Sequence, residues 1–316
     1  MGNSSGSDTA RRWALFAVIA LMLAWTGCER RAQVSPPISK LKPQTRPAQD
    51  AQRPLRVAIG ATITPREGFI FYGDLIEYIE AKLGRPVELT DSRTYAEVNG
   101  MLRRGEVDFA FVCGGPYVTG RREFGLQIAA APVVAGKDTY ESIILVRGDS
   151  DLRRVTDLRG KRFAWVDPAS NSGYLVPNVL LAGMGEKPAT FFSKTVFTYG
   201  HDVSIMAVAS GAVDGAAVHS VIFDYYRGKL PELASKVREI WRSQPFAIQP
   251  VVIRPDLDST TKTAITSILL QAHSDPKARR FLSGMGIDRF VAGDDANYDG
   301  IRRLQARLAA EATRTR

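Results

Sequence analysis

The chain has little of what most metal-bound and catalytic proteins need. Of its 316 residues only two are cysteines and three are histidines. Those histidines, His201, His219 and His273, show no metal-ligand spacing and have no cysteine pair beside them, which argues against a structural zinc site. No metal or other cofactor is expected. The sequence also lacks a Gly-x-Ser-x-Gly elbow, a His-Glu-x-x-His motif and a phosphate-binding P-loop, so nothing in it points to an enzyme. His219-Ser220 are neighbours in sequence, but adjacency alone is not a catalytic arrangement. The one strongly apolar run, Trp13 to Trp25, falls short of the ~20 residues that a membrane-crossing helix takes. Charge of one sign is scarce where it matters. The net charge is +9, but residues 1–54 hold eight of the 42 basic and three of the 33 acidic residues. The rest of the chain therefore carries 34 against 30, a balance of +4, which does not call for nucleic acid.

What is present begins with an export signal. Arg11-Arg12, a short apolar core and small residues before Gly27-Cys28 describe a secretory leader. Cys28 after Gly27 resembles a bacterial lipobox, so residues 1–28 are read as a lipoprotein signal with Cys28 as the lipidated residue. With Cys28 acylated, Cys113 is alone and no internal disulfide is possible. Residues 29–54 contain Pro36, Pro37, Pro43, Pro47 and Pro54 and little apolar content. They read as a disordered tether, because they cannot bury enough surface to offset their ordering entropy. A periplasmic domain held near a membrane face by a lipid is the expectation.

The folded part should run from Leu55 to Arg316. Leu55–Ile59, Pro86–Thr90 and Val107–Val112 have strand composition, and each is followed by a loop and a helix signal. Thr64-Pro65-Arg66-Glu67 and Thr94-Tyr95-Ala96-Glu97 are capping boxes. Strand–helix alternation implies a parallel sheet with right-handed crossovers. A second series follows at Phe163–Val166, Thr195–Thr198 and Val213–Val218, after a long strand at Tyr140–Val146. It lies between two extended segments. Two α/β lobes are expected, one of residues 55–142 and 250–316, the other of 143–249, hinged about a ligand cleft. Ligands in such sheets bind beyond the carboxyl ends of the strands. That rule selects the loops holding Thr64, Cys113 to Tyr117, and Ser170 to Gly173.

The last loop is the most telling. Phe163–Val166 is apolar and strand-like, Asp167-Pro168 ends it, Ser170-Asn171-Ser172-Gly173 turns, and Leu175, Val179 and Leu180 recur at helical spacing. A helix start presents unpaired N–H groups and the positive end of the backbone dipole, which suits an anion. Ser and Asn are equally favoured there as simple N-caps, so both roles stay open.

The run Asp167 to Pro177, Asp-Pro-x-Ser-x-Ser-Gly-Tyr-Leu-Val-Pro, resembles the phosphate/phosphite/phosphonate ABC-transporter substrate-binding proteins (PhnD-like). Glu67-Gly-Phe-Ile-Phe-Tyr72, Phe111-Val-Cys-Gly-Gly-Pro-Tyr117, Asp157-Leu-Arg-Gly-Lys161 and His201-Asp202 agree with it. The resemblance covers about residues 55–300. It implies the periplasmic-binding-protein type II fold and a small oxyanion ligand, with an ABC permease and ATPase as partners. It further implies ligand contacts from Ser170, Asn171, Ser172 and Gly173, from Tyr117 and Tyr72, from His201 and Asp202, and more weakly from Asp214. Asn171 stands where the family often has Thr, and its amide can still donate. His201-Asp202 stands where phosphonate binders tend to have Glu, which favours a small ligand such as phosphite or phosphate. The rival expectation is a periplasmic arsenite-type sensor that uses Cys113 and signals to a histidine kinase.

Overall fold

Local signals account for most of the secondary structure in the computed structural model, which describes residues 53–60, 65–92 and 94–314, with the side chains of 65–71, 312 and 314 left aside. The leader, Cys28, the tether up to residue 52, and Thr64 lie outside the described residues. Arg53, placed by sequence in the tether, belongs to the folded body: its guanidinium pairs with the buried Asp108.

In chain order the first half runs β1 (Leu55–Ile59), α1 (Pro65–Leu83), β2 (Val87–Thr90), α2 (Tyr95–Arg104), β3 (Phe109–Phe111), α3 (Gly114–Phe124) and β4 (Gln127–Val133). It continues with β5 (Thr139–Tyr140), β6 (Ser142–Arg147), β7 (Arg162–Trp165), α4 (Val176–Gly183), β8 (Lys194–Phe197) and α5 (His201–Ala209). Then come β9 (Gly215–His219), α6 (Ser220–Lys229), β10 (Val237–Arg242), β11 (Phe246–Ala247) and β12 (Val251–Ile253). The chain closes with α7 (Ser259–Gln271), α8 (Arg279–Met285), β13 (Arg289–Val291) and α9 (Asp299–Arg314). The cap read at Thr94 forms as a hydrogen bond, and α7 has one of the same kind. Thr94 accepts the Glu97 N–H at 3.1 Å, and Asp258 accepts the Thr261 N–H at 2.8 Å.

The strands make two main sheets. One has the order β13-β4-β12-β3-β1-β2, the other β10-β6-β9-β7-β8. β1, β2 and β3 are parallel, as are β7, β8 and β9. β12 and β6 run antiparallel to their neighbours. Each sheet buries its own apolar set. Leu55, Val57, Phe109 and Val251 pack under α1 and α7 in the first, while Phe163, Trp165 and Phe192 interlock in the second.

Between the sheets the chain crosses twice, and the crossings pair. β5 and β11 form a two-stranded antiparallel ribbon with Tyr140 opposite Phe246. The long strand expected over Tyr140–Val146 is therefore broken at Glu141, because Tyr140 pairs with the return crossing and Ser142 pairs with His219 in the second sheet. Ser142 N–H donates to Ser243 Oγ and Ser243 N–H to the Ser142 carbonyl, both at 2.9 Å, so the two crossings are stitched side by side. A hinge of this kind shares its bending between two adjacent strands. The C-terminal helix α9 follows the first-sheet segments in sequence, yet Ile301, Leu304 and Leu308 pack in one cluster with Leu175, Val176 and Val179 beside the second sheet.

Candidate functional site

At the carboxyl end of β7 the serine-rich turn forms a single π-turn, Asn171–Leu175, that runs directly into α4. Ser170 caps it, its Oγ accepting the Gly173 N–H at 3.0 Å. Gly173 has no room for a side chain, since a Cβ there would lie 2.5 Å from Val166 Cβ. The two hydroxyls of this one turn thus stand differently. Ser170 spends its oxygen on the helix. Ser172 keeps its hydroxyl free of any partner among the described residues.

Ser170, Asn171 and Ser172 are fully buried. Asn171 is held from both sides. Its backbone N–H donates to Cys113 Sγ at 3.4 Å, and its Nδ2 donates to the Tyr140 hydroxyl at 2.9 Å. The same hydroxyl lies 3.7 Å from Cys113 Sγ. The Ser142 hydroxyl donates to the Ser172 carbonyl at 2.7 Å and fixes the turn against the hinge. Tyr140 stacks flat on His219, with ring centres 3.7 Å apart and 4° between planes. Burial, with Cys113 next to it, pushes the Tyr140 hydroxyl well above its ordinary pKa, so it stays protonated.

His201 and Asp202 sit in the first turn of α5, both buried. The His219 backbone N–H donates to His201 Nδ1 at 3.0 Å. Burial lowers the His201 pKa to about 3, so the ring is neutral. A neutral imidazole that accepts at Nδ1 carries its proton on Nε2. His201 Nε2–H is therefore a buried neutral donor, and it has no partner among the described residues. Burial also holds His219 well below its usual pKa; His201 adds to this, and the nearby Gln249 side chain opposes it. No hydrogen bond of normal geometry reaches either His219 ring nitrogen or Gln249 Oε1 among the described residues.

The result is an enclosed polar cluster of Ser172, Asn171, Tyr140, His201, Asp202, His219 and Gln249, none of them a lysine or arginine. A buried polar atom left without a partner costs about 1–3 kcal/mol. Several in one place are tolerated where a polar guest completes them. Hydroxyl, amide and imidazole N–H donors suit an oxyanion, and a buried carboxylate suits a protonated oxygen on the same guest.

The two histidines also make a stability prediction. The unfolded chain takes up a proton on His201 near pH 6.5, while the folded protein resists it down to about 3. More protons are bound by the unfolded state in that window, so stability falls as pH drops from 6.5 towards 4. Urea midpoints at pH 7 and pH 4 should differ less in His201→Gln than in the natural protein. An equal pH dependence would show that His201 is not held neutral.

Several residues named from sequence stand elsewhere. Tyr117 is buried, but its hydroxyl donates to Asp295 and its ring packs edge-on to Tyr298 at 4.7 Å. Asp214 is a correction. β9 starts at Gly215, so Asp214 sits at its amino end and is engaged by Arg162, with Nη2 2.8 Å from Oδ1 and the Arg162 N–H 2.8 Å from Oδ2. The serine turn lies at the other end of parallel strands, about 16 Å away at the rise of a strand. Tyr72 packs edge-on to Phe111 at 4.8 Å and is outside the hydrogen-bonded cluster. Cys113 caps α3 and reaches the site through Asn171 and Tyr140. Sequence reasoning passed over Tyr140, Ser142 and Gln249, and assigned no ligand role to His219. The signal available was position: all four sit at or beside the two hinge crossings.

A family model for the periplasmic substrate-binding protein of phosphonate ABC transporters matches residues 59–298. The phosphonates-binding periplasmic protein of Escherichia coli (strain K12) is 28% identical over 262 residues, covering 81% of this chain and 77% of that protein. The phosphate-import protein PhnD of Mycolicibacterium smegmatis is 27% identical over 260 residues, covering 74% and 79%. A solved binding-protein component of an ABC phosphonate transporter from Pseudomonas aeruginosa superposes with a TM-score of 0.79 at 22% identity, covering 84% of this chain and 89% of that one. The fold is that of the type II periplasmic binding proteins, two α/β lobes joined by a double crossing. With three quarters of its length inside the family's match, this chain belongs to the periplasmic substrate-binding proteins of phosphonate ABC transporters.

Proposed function

We propose that the chain is a periplasmic solute-binding lipoprotein that captures a small phosphorus oxyanion, phosphite, phosphate or a phosphonate, for an ABC importer. The observation that carries this is the enclosed turn where the Ser172 hydroxyl and His201 Nε2–H stay unmatched among the described residues. Both are neutral donors. They hold a monoanion or dianion without the permanent charge that would slow release. Asp202 repels a fully ionised guest and accepts a hydrogen bond from a P–OH, so it selects protonation state as well as shape. The lipobox at Cys28 and the proline-rich segment after it support a tethered protein that hands its ligand to a permease.

Titration calorimetry of the mature protein with phosphite, phosphate and methylphosphonate tests this. At least one should bind, and Ser172→Ala should weaken that binding by about tenfold or more, the usual effect of removing one hydrogen bond to a charged group. Absence of heat with all three, or unchanged affinity in the variant, would overturn it. The competing reading is an arsenite-type sensor coupled to a histidine kinase, and what favours it is Cys113 Sγ in contact with the Asn171 N–H at the site. One sulfur is a thin ligand set for a soft guest. Arsenite binding that is lost in Cys113→Ser, with no response to the phosphorus anions, would establish the sensor instead.

A further inference from the structure

Asp167 opens the serine-rich run just after β7, and its side chain does something the ligand set does not use. The residue is buried. Both carboxylate oxygens are spent on backbone. Oδ1 accepts the Ala169 N–H at 2.7 Å, and Oδ2 accepts the Tyr95 N–H at 3.1 Å. The two bonds differ in reach. Ala169 belongs to the same loop. Tyr95 is the first residue of α2, on the other lobe, and the bond to it is buried. The first N–H groups of any helix have no partner inside the helix. Thr94 serves the Glu97 N–H from within the lobe, whereas the Tyr95 N–H is served from across the gap. The Tyr95 ring is buried too, and it packs with Cys113 on its own side and Ala169 on the other. The Ser170 N–H donates to the Asp167 carbonyl at 2.9 Å, so the residue that reaches across also carries the serine turn.

We propose that Asp167 is a positioning residue for capture: its carboxylate latches the second lobe onto the start of α2 and sets how long the closed form lasts, without touching the ligand. The oxyanion reading enters only in the choice of ligand for the test. The Tyr95 bond exists only while the lobes meet. With the lobes apart, water serves both groups. Removing the acceptor therefore harms the closed form, where the N–H is buried, more than the open one. A ligand held by the closed form then binds more weakly by the share of closure lost, and that share is the same for every ligand. Burial raises the Asp167 pKa, and the Ala169 and Tyr95 N–H groups restrain the rise. Closing thus strips water from a charge, so the latch depends on an acceptor oxygen more than on the charge itself.

The mature protein, Asp167→Ala, Asp167→Asn and Thr94→Ala are each titrated with phosphite, phosphate and methylphosphonate, and ligand release is timed. Asp167→Ala should release ligand about tenfold faster with little change in association, and its affinity for each anion that binds should fall by one common factor. Asp167→Asn keeps an acceptor oxygen and should recover most of that loss. Thr94→Ala removes the cap inside the lobe; it should lower the melting temperature and leave release rates as they are. Without ligand, Asp167→Ala should show a larger radius of gyration in small-angle scattering. Release rates and ligand-free radii equal to those of the natural protein overturn the latch. So does a loss that differs from one anion to the next, or the absence of any recovery in Asp167→Asn. If no anion binds the natural protein, the oxyanion reading falls and the ligand-free radius alone decides the latch.

Discussion

Gly115→Ala should weaken phosphorus-anion binding by about tenfold to a hundredfold while leaving the unliganded protein as stable as before, or slightly more so. The reason lies in which atoms a new methyl would meet. An ideal Cβ on Gly115 lies 2.4 Å from the Ala169 carbonyl oxygen and 3.5 Å from the Asn171 nitrogen. Both are backbone atoms of the serine loop in the other lobe, so no side-chain rotation relieves the contact. Overpacking of this kind costs about 1–3 kcal/mol, which is the stated range in affinity. With the lobes apart the clash vanishes, and alanine inside helix α3 is favoured over glycine by about 0.5–1 kcal/mol. Melting temperature without ligand and calorimetric affinity with it should therefore move in opposite directions. If both are unchanged, the loop does not approach α3 this closely when ligand is bound. If both fall, Gly115 serves the fold and not the closure. Gly115 is where the second lobe's loop lies down on the first lobe's helix.

Asp108→Ala should cost the fold about 3–5 kcal/mol, the largest stability loss expected of a single carboxylate here. Asp108 is fully buried and accepts four hydrogen bonds from three groups. Arg254 Nε lies 2.9 Å from Oδ1, Arg53 Nη1 2.8 Å from Oδ2, Arg53 Nη2 2.5 Å from Oδ1, and the Arg56 N–H 2.9 Å from Oδ2. Arg254 is itself buried, so deleting the carboxylate leaves a guanidinium in the interior short of its main counter-charge. The network joins β1, β3 and β12 at the end of the sheet opposite the site. Ligand affinity of the fraction that folds should therefore be close to normal. Chemical denaturation, with and without saturating ligand, separates the two effects. For contrast, Arg104 and Glu106 form an exposed pair 2.7 Å apart, and breaking it should leave stability nearly unchanged, because solvent screens it. A loss of that small size in Asp108→Ala would mean that Asp256, 2.8 Å from Arg254 Nη1, suffices as its counter-charge.

The candidate site was legible in part, and the boundary has a physical cause. Ser170, Asn171, Ser172, His201 and Asp202 were visible because they follow strands and open helices, and both features are written in a few neighbouring residues. Tyr117 and Asp214 misled because a residue near a strand end can face either way along it. Tyr117 turned to Asp295, far along the chain, and Asp214 stands before β9, which begins two residues later than the strand read from Val213. Tyr140 was hidden inside what reads as one long strand. The break at Glu141 exists only because Phe246 is there to pair with it.

Residue order by itself determined the strand–helix alternation, the capped start of α2, and a serine turn at a helix entrance, since periodicity, caps and turns are interactions over a few residues. Only tertiary structure decided which polar atoms are left unmatched, which ring nitrogen of His201 bears its proton, and that a glycine in α3 must yield to a loop some 50 residues away. Those outcomes depend on segments meeting across the hinge. The energy of a buried hydrogen bond or a backbone clash is set by distances of a few tenths of an ångström, and no local pattern encodes them.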